Sequence, residues 1–280
     1  MPSFDTPEPI SVTAHVYSGS IRFTAGDRTD TVVAVEPRDP KRDQDARVVE
    51  QTEISYANGT LTIRTPKANI VGRSGTVDVT VELPTGSHID VSGASAEVLG
   101  EGRLGEVRLK TAAGDVRLDT TGPLQLSASH GSITVDRVEG MAEITTNSGH
   151  LRIGVVNGPA VLKNSHGSTT VDAVTGELRV NGVNGGVDIA RVESSVTGTT
   201  TNGHLRVNDV ARGTVHLETS NGPIEVGVRE GTAAWLDVSS KRGQVRNTLS
   251  ASDAPEETEE TVRVHARSNW GNIDIRRARA

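Results

Sequence analysis

The sequence contains no cysteine, so disulfides and thiolate metal sites are excluded and the compartment is not readable from redox chemistry. Aromatic side chains are almost absent: two Phe, two Tyr and two Trp in 280 residues, with none between Tyr56 and Trp235. A core over that interval must be built from Val, Ile, Leu and Ala. This suits closely spaced strands around a thin interior better than a wide sandwich, whose space large rings usually fill. No stretch approaches the roughly 18 consecutive apolar residues that a membrane-spanning helix needs. The opening residues, MPSFDTPEPISVTAHVYSG, hold neither the basic segment nor the apolar run of a secretory signal. The expectation is a cytoplasmic chain without membrane insertion. Charge of one sign is also lacking: the formal net charge of −7 is spread along the chain, with no clustered basic face for nucleic acid. No G-x-S-x-G elbow, H-E-x-x-H helix, Walker loop or dinucleotide fingerprint occurs, so no enzyme class, cofactor or metal is expected.

What the sequence has is a repeat. From Gly105 onward it recurs about every 18 residues, as in GPLQLSASHGSITVDRVE from Gly122, GMAEITTNSGHLRIGVVN from Gly140 and GPAVLKNSHGSTTVDAVT from Gly158. Apolar residues hold fixed places in each block. Two residues after the leading Gly come Leu124, Ala142, Ala160 and Leu178, and two further on come Leu126, Ile144, Leu162 and Val180. After a second Gly (Gly131, Gly149, Gly167, Gly185, Gly203, Gly222) the alternation resumes, as at Ile133 and Val135, and a last Val closes the block. Alternation at period two makes each half-block a short strand with one buried face.

Two arrangements use this pattern. In a parallel β-solenoid each block is one coil and equivalent positions stack about 4.8 Å apart. In an antiparallel meander each half-block is a strand and pairs such as Asn184-Gly185 and Asn202-Gly203 are hairpin turns. The meander leaves one long sheet with an uncovered apolar face, so closure favours the solenoid. A left-handed hexapeptide helix needs an apolar residue at the place where His130, Ser148, His166, Asn184, Asn202 and Asn221 stand, so a right-handed coil is preferred. The predicted fold is therefore all-β: a right-handed parallel β-helix of about 18 residues per coil behind an N-terminal β cap. The expected divisions are a cap region over 1–88, with a charged loop from Glu36 to Asp45 and a hairpin at Asn58-Gly59, solenoid repeats over 89–250, an acidic loop over 251–261, and a closing coil and tail over 262–280, in which Trp270 seals the end of the core.

Stacked coils turn equivalent positions into spatial rows. Asp119 and Asp136 share a row at a spacing of about 5 Å, which is compatible with paired carboxylates in glycoside hydrolysis. The plainer reading is that Asp ends a strand and caps a turn. His130 and His166 share a row two coils apart, too far to bind one metal ion through ligand bonds of about 2 Å. Asn147, Asn164, Asn202 and Asn221 are expected to exchange hydrogen bonds along the stack.

The half-blocks Thr219-Ser-Asn-Gly-Pro-Ile-Glu-Val and Gly213-Thr-Val-His-Leu-Glu-Thr resemble those of a bacterial family of β-strand-repeat proteins of unknown function, often labelled "putative adhesin". The resemblance spans about Val79 to Ile275. It implies a β-solenoid without a known catalytic centre, in proteins often attached to the envelope or linked to envelope stress.

The functional expectation is a non-catalytic, monomeric binding scaffold whose partner is a protein or a glycan. One alternative is a cytoplasmic regulatory or assembly module. Another is a polysaccharide-active β-helix enzyme acting through Asp119 and Asp136.

Overall fold

The computed structural model describes residues 1–67, 75–250 and 260–278, and the acidic loop expected at 251–261 lies almost wholly outside them. Among the described residues there are 25 strands and one helix, and the strands are mostly parallel, so the chain is a β-solenoid. It divides into two compact units, Met1–Glu139 and Gly140–Ala280.

In the second unit the repeat sets the register directly. Ala142 pairs with Ala160, Ala160 with Leu178 and Leu178 with Val196, each a step of 18 residues. The other half of each coil keeps the same step, as in Leu151 with Thr169 and Thr169 with Val187. Every strand pairs in parallel with its equivalent one coil away, which excludes the meander. The inward rows, among them Ile144, Leu162, Val180 and Leu217, are fully buried. Burying each such side chain contributes about 1.5–3 kcal/mol. Gly198 interrupts one row because Leu217 of the next coil fills its place: a Cβ there would lie 2.8 Å from Leu217 Cδ2.

The corner between the two half-strands explains the second glycine. Gly167, Gly185 and Gly203 have φ of +134°, +142° and +154°, and a Cβ on any of them would lie 2.0–2.1 Å from the carbonyl oxygen of the corner glycine one coil earlier. Only a residue without a side chain lets successive coils approach this closely. The carbonyls at these corners also account for a buried polar row. Asn164 Nδ2 donates to Gly149 O at 3.1 Å, Thr219 Oγ1 to Gly203 O at 3.1 Å and Ser268 Oγ to Gly222 O at 3.0 Å. Small donors in an otherwise aliphatic interior thus satisfy carbonyls that face inward.

The order of coils at the end of this unit differs from the order of the chain. The strands Glu260–Trp270 and Ile273–Arg277, expected to close the stack, lie one coil in. Glu260–Trp270 pairs with Gly213–Asn221 on one side and with Thr232–Ser240 on the other, and Ile273–Arg277 is likewise flanked by Ile224–Val228 and Val245–Asn247. The alternating run from Val262 to Ile275 is as apolar as any internal coil, and it is buried on both edges. Trp270 does not seal the core: it is 53% exposed. It pairs in register with Asn221, in the row that turns outward just before the corner glycine.

The first unit has the same exchange at its own end. The 16-residue strand Ser11–Gly26 spans both halves of a coil and pairs in parallel with His88–Arg103. On its other edge it pairs in parallel with Thr60–Arg64 and Val77–Pro84, so the first long strand of the chain is second in space. Parallel stacking thus starts well before Gly105, where the sequence repeat fades. Antiparallel strands cover the outermost coil. Glu53–Ala57 folds back on Thr60–Arg64 through the hairpin at Asn58-Gly59, whose φ values of 51° and 73° fit a type I′ turn. Asp30–Pro37 pairs antiparallel with Val77–Pro84.

Part of the expected charged loop is helical, over Asp43–Glu50. Pro37 and Pro40 precede the helix, and Asp43 and Asp45 stand in its first turn, where they favour the helix dipole. Asp45 is fully buried and accepts hydrogen bonds from the backbone N–H groups of Thr76 (3.0 Å) and Asp39 (3.2 Å), tying the helix to the adjoining chain.

Candidate functional site

Asp119 and Asp136 are neighbours in the first unit, between the register pairs Leu118 with Val135 and Thr120 with Arg137. Their surroundings give Asp119 a structural task. Its Oδ2 accepts a hydrogen bond at 3.0 Å from the backbone N–H of Gly102, a residue at φ +80° where the register of the strand His88–Arg103 shifts in the preceding coil. Arg137 lies 3.7 Å from Glu139. Asp119 lies inside the strand Val116–Thr121 and not at its end, and Asp136, inside Ile133–Val138, stands exposed beside it.

The histidine rows act as ladder partners too. His150 Nδ1 lies 2.8 Å from Ser168 Oγ, His166 Nδ1 lies 3.3 Å from the Asn147 carbonyl, and His130 is exposed in register with Ala113. No group of three or more His, Asp or Glu side chains among the described residues is disposed to hold a metal ion. The asparagine ladder runs through Asn184, Asn202 and Asn221. Asn202 Nδ2 donates to Asn184 Oδ1 and Asn221 Nδ2 to Asn202 Oδ1, each at 2.8 Å. Asn164 stands apart from it, buried in the interior row.

The outward face of the second unit carries charged rows that the apolar spacing did not single out. Asp188, Arg206 and Glu225 follow successive corner glycines at the same offset, which was the available signal. Arg206 donates to Asp188 Oδ1 at 3.2 Å and to Glu225 at 3.0 and 3.1 Å. The paired guanidinium holds the Glu225 carboxyl below the usual carboxylate range, against the opposing effect of burial. Arg229 likewise bridges Glu193 and Asp209 with five hydrogen bonds of 2.7–3.2 Å, and it depresses the Glu193 carboxyl.

Another polar cluster lies on the same unit, with Glu218 3.2 Å from His216 and Thr199 donating to Asn181 at 2.8 Å. Thr199, Glu218, Ser220, Lys241, Arg267 and Asn269 line a cleft of about 360 Å³. Arg267 donates to Asp237 Oδ1 at 2.6 Å, and this contact, with His265, lowers the Asp237 carboxyl. His216 and His265 are register partners with ring centroids 6.3 Å apart. From the next corner, Trp270 presents its ring to the Arg242 guanidinium at 4.2 Å, a cation–π distance. Hydroxyl, amide, carboxylate and cationic groups thus line the cleft, and Trp270 follows Asn269 along the chain.

A family model described as Toastrack DUF4097 matches residues 8–277. The chain belongs to the Toastrack family. Solved structures similar to this Toastrack chain include a "putative adhesin" from Parabacteroides merdae, with 16% identity, 78% of this chain and 91% of that one covered, and a TM-score of 0.43. Another, from Bacteroides fragilis, has 13% identity over 98% of this chain and 95% of that one, with a TM-score of 0.38. A "putative lipid binding protein" from Parabacteroides distasonis has 9% identity over 99% and 96%, with a TM-score of 0.27. No curated protein matches the chain. No described helix of this Toastrack chain is long and apolar enough to cross a membrane, which says nothing of a β-barrel.

Proposed function

We propose that this chain is a non-catalytic binding scaffold that takes a glycan on the outward face of its second unit. The observation that carries the reading is the cleft bounded by Thr199, Glu218, Lys241, Arg267 and Asn269, with the exposed Trp270 next along the chain from Asn269. A sugar offers hydroxyls that both donate and accept, and an apolar ring face. The cleft supplies acceptors at Glu218 and Asn269, donors at Lys241, Arg267 and Asn269, and a stacking surface in a protein otherwise almost free of rings. Among the described residues the interior of the second unit holds no aromatic ring, so Trp270 is not part of its core and its exposed surface is open to a ligand. The carboxylates of the Asp119 row take no part in this reading.

The test is a glycan array probed with the full chain, followed by titration of hits monitored by tryptophan emission. The expected result is a set of related glycans whose binding falls about tenfold or more in Trp270→Ala and Lys241→Ala. Equal binding by both variants, or retention of protein partners with no glycan bound, would move the reading to the protein-scaffold or assembly-module alternative.

A further inference from the structure

Six Asn-Gly pairs occur in the chain, at Asn58, Asn157, Asn181, Asn184, Asn202 and Asn221, and all but the first belong to the stacked coils of the second unit. Such a pair is labile where the glycine N–H is free and the asparagine side chain can swing back onto it, because glycine has no Cβ to hinder the approach. The coils deny both conditions. Gly185, Gly203 and Gly222 donate their N–H groups to Asn202 O, Asn221 O and Trp270 O of the next coil, each at 2.8 Å. The side chains of Asn184, Asn202 and Asn221 hold one another in the ladder. Gly182 lies within Leu178–Asn184, a strand paired on both edges. Gly158 is pressed between Gly140, whose carbonyl oxygen would lie 2.5 Å from a Cβ, and Gly176, whose N–H donates to the Gly158 carbonyl at 3.1 Å. Exposure does not separate the sites, since Asn184, Asn202 and Asn221 are exposed, as Asn58 is.

We infer that Asn58 is the site at which the folded chain converts an asparagine to aspartate and isoaspartate. Asn58 and Gly59 form the exposed tip of the hairpin between Glu53–Ala57 and Thr60–Arg64. Among the described residues neither the Asn58 side chain nor the Gly59 N–H has a hydrogen-bond partner, and nothing lies within 4 Å of a Cβ built on Gly59. With Asn58 at φ 51° the turn must open for its side chain to reach the Gly59 nitrogen. Opening costs little here, because among the described residues Glu53–Ala57 pairs with Thr60–Arg64 alone, whereas a corner opens only if neighbouring coils give way. The Gly59 nitrogen then gives its proton to solvent base and attacks Asn58 Cγ. A C–N bond forms, and the side-chain nitrogen leaves as ammonia with a proton returned by water. The succinimide takes up a water molecule that breaks one or the other of its ring bonds to the Gly59 nitrogen, giving isoaspartate or aspartate. Isoaspartate carries the chain through its side-chain carbon, which adds a methylene to a turn whose two residues are fixed at φ 51° and 73°. Conversion at this position therefore releases Glu53–Ala57 from the outermost coil of the first unit, and with it the contact of Tyr56 with Phe4, whose ring centroids are 5.2 Å apart.

Peptide mapping by mass spectrometry tests the proposal by following the amide-to-acid mass gain at each pair in the full chain, held in mildly alkaline buffer. The same chain in concentrated urea is the reference, in which all six pairs should convert at comparable rates. In the folded chain Asn58 should convert about tenfold or more faster than any of the other five. A corner asparagine that converts as fast as Asn58 in the folded chain would overturn the proposal. So would an Asn58 that keeps its amide after the urea sample has lost it. The isoaspartyl form, separated by ion exchange, should show faster amide hydrogen exchange across Glu53–Ala57 than the parent, and equal exchange would overturn the release of that strand.

Discussion

Replacing Gly185 by alanine tests whether the corner glycines are required by backbone conformation or by the spacing of the coils. Gly59 supplies the contrast. Both residues have positive φ, +142° at Gly185 and +73° at Gly59, so both substitutions force an L-residue into an unfavourable region at a cost of about 1–2 kcal/mol. Around Gly59 nothing lies within 4 Å of a built Cβ, so that cost is the whole effect. At Gly185 the Cβ would lie 2.1 Å from the Gly167 carbonyl oxygen and 2.6 Å from its carbon, where real contacts essentially never fall below 3.0 Å. The coil must shift by about 1 Å. That strains the bond from Gly185 N–H to Asn202 O, now 2.8 Å, and its neighbours in a ladder where each bond contributes about 0.5–1.5 kcal/mol. We expect Gly185→Ala to cost about 3–5 kcal/mol and Gly59→Ala about 1 kcal/mol. With a urea slope of about 2 kcal/mol per molar, the midpoints should fall by roughly 2 M and 0.5 M. Circular dichroism reads both variants. Tryptophan emission reads the second unit alone, because Trp235 and Trp270 both lie in it. Equal shifts for the two variants would refute the spacing argument and reduce the corner glycines to a conformational preference.

The buried polar row gives another test. Asn164 is 3% exposed, and its Nδ2 faces the carbonyls of Gly149 at 3.1 Å and Ser168 at 3.3 Å, while its Oδ1 has no partner among the described residues. Asn164→Asp sets a carboxylate against those carbonyls and should cost about 3–5 kcal/mol at neutral pH, with partial recovery on acidification in a pH series of urea melts. Asn164→Thr, the residue found in this row at positions 146, 200 and 219, should stay within about 1 kcal/mol of the parent. The ion-pair rows predict the acid limb of stability. Glu193, Glu225 and Asp237 have depressed folded-state values, so their contribution is complete above the unfolded carboxylate range near pH 4–4.5 and is lost as pH falls through the lower folded values. Thermal midpoints should therefore be level from pH 7 to about 5 and decline below about 4.5, more shallowly in a Glu193→Gln, Glu225→Gln double variant.

The apolar rows were legible because two periods, two residues along a strand and about 18 around a coil, act on the same Val, Ile and Leu positions. The hairpin at Asn58-Gly59 was legible because its dipeptide carries the positive φ that the turn needs. The exchange of coil order was not. Val262 to Ile275 has the pattern of any internal coil, and whether it lands outside or inside Thr232–Ser240 depends on which edge is free when it docks. Trp270 was misplaced for a related reason: ring size suggested a plug, but its row position, shared with Asn221, turns it outward. The charged rows through Arg206 and Arg229 share an offset from their glycines, yet an outward position accepts any polar residue. Their meaning appears only once register sets opposite charges side by side. Asp119 was expected at a strand end but lies inside Val116–Thr121, and its donor Gly102 comes from a coil where the repeat has already faded.

The coil exchange also bears on how the chain resists being pulled. A solenoid whose last strand is outermost can be peeled from its end, one ladder breaking bond by bond under a small force. Here the strand nearest the C-terminus, Ile273–Arg277, and the first long strand, Ser11–Gly26, each lie between two parallel neighbours. An unfolding machine that grips either tail must make two ladders slide at once before the coil yields. Traction on the ends therefore loads the fold in shear, whereas cleavage inside Thr232–Ser240 would admit unravelling at the outer coil.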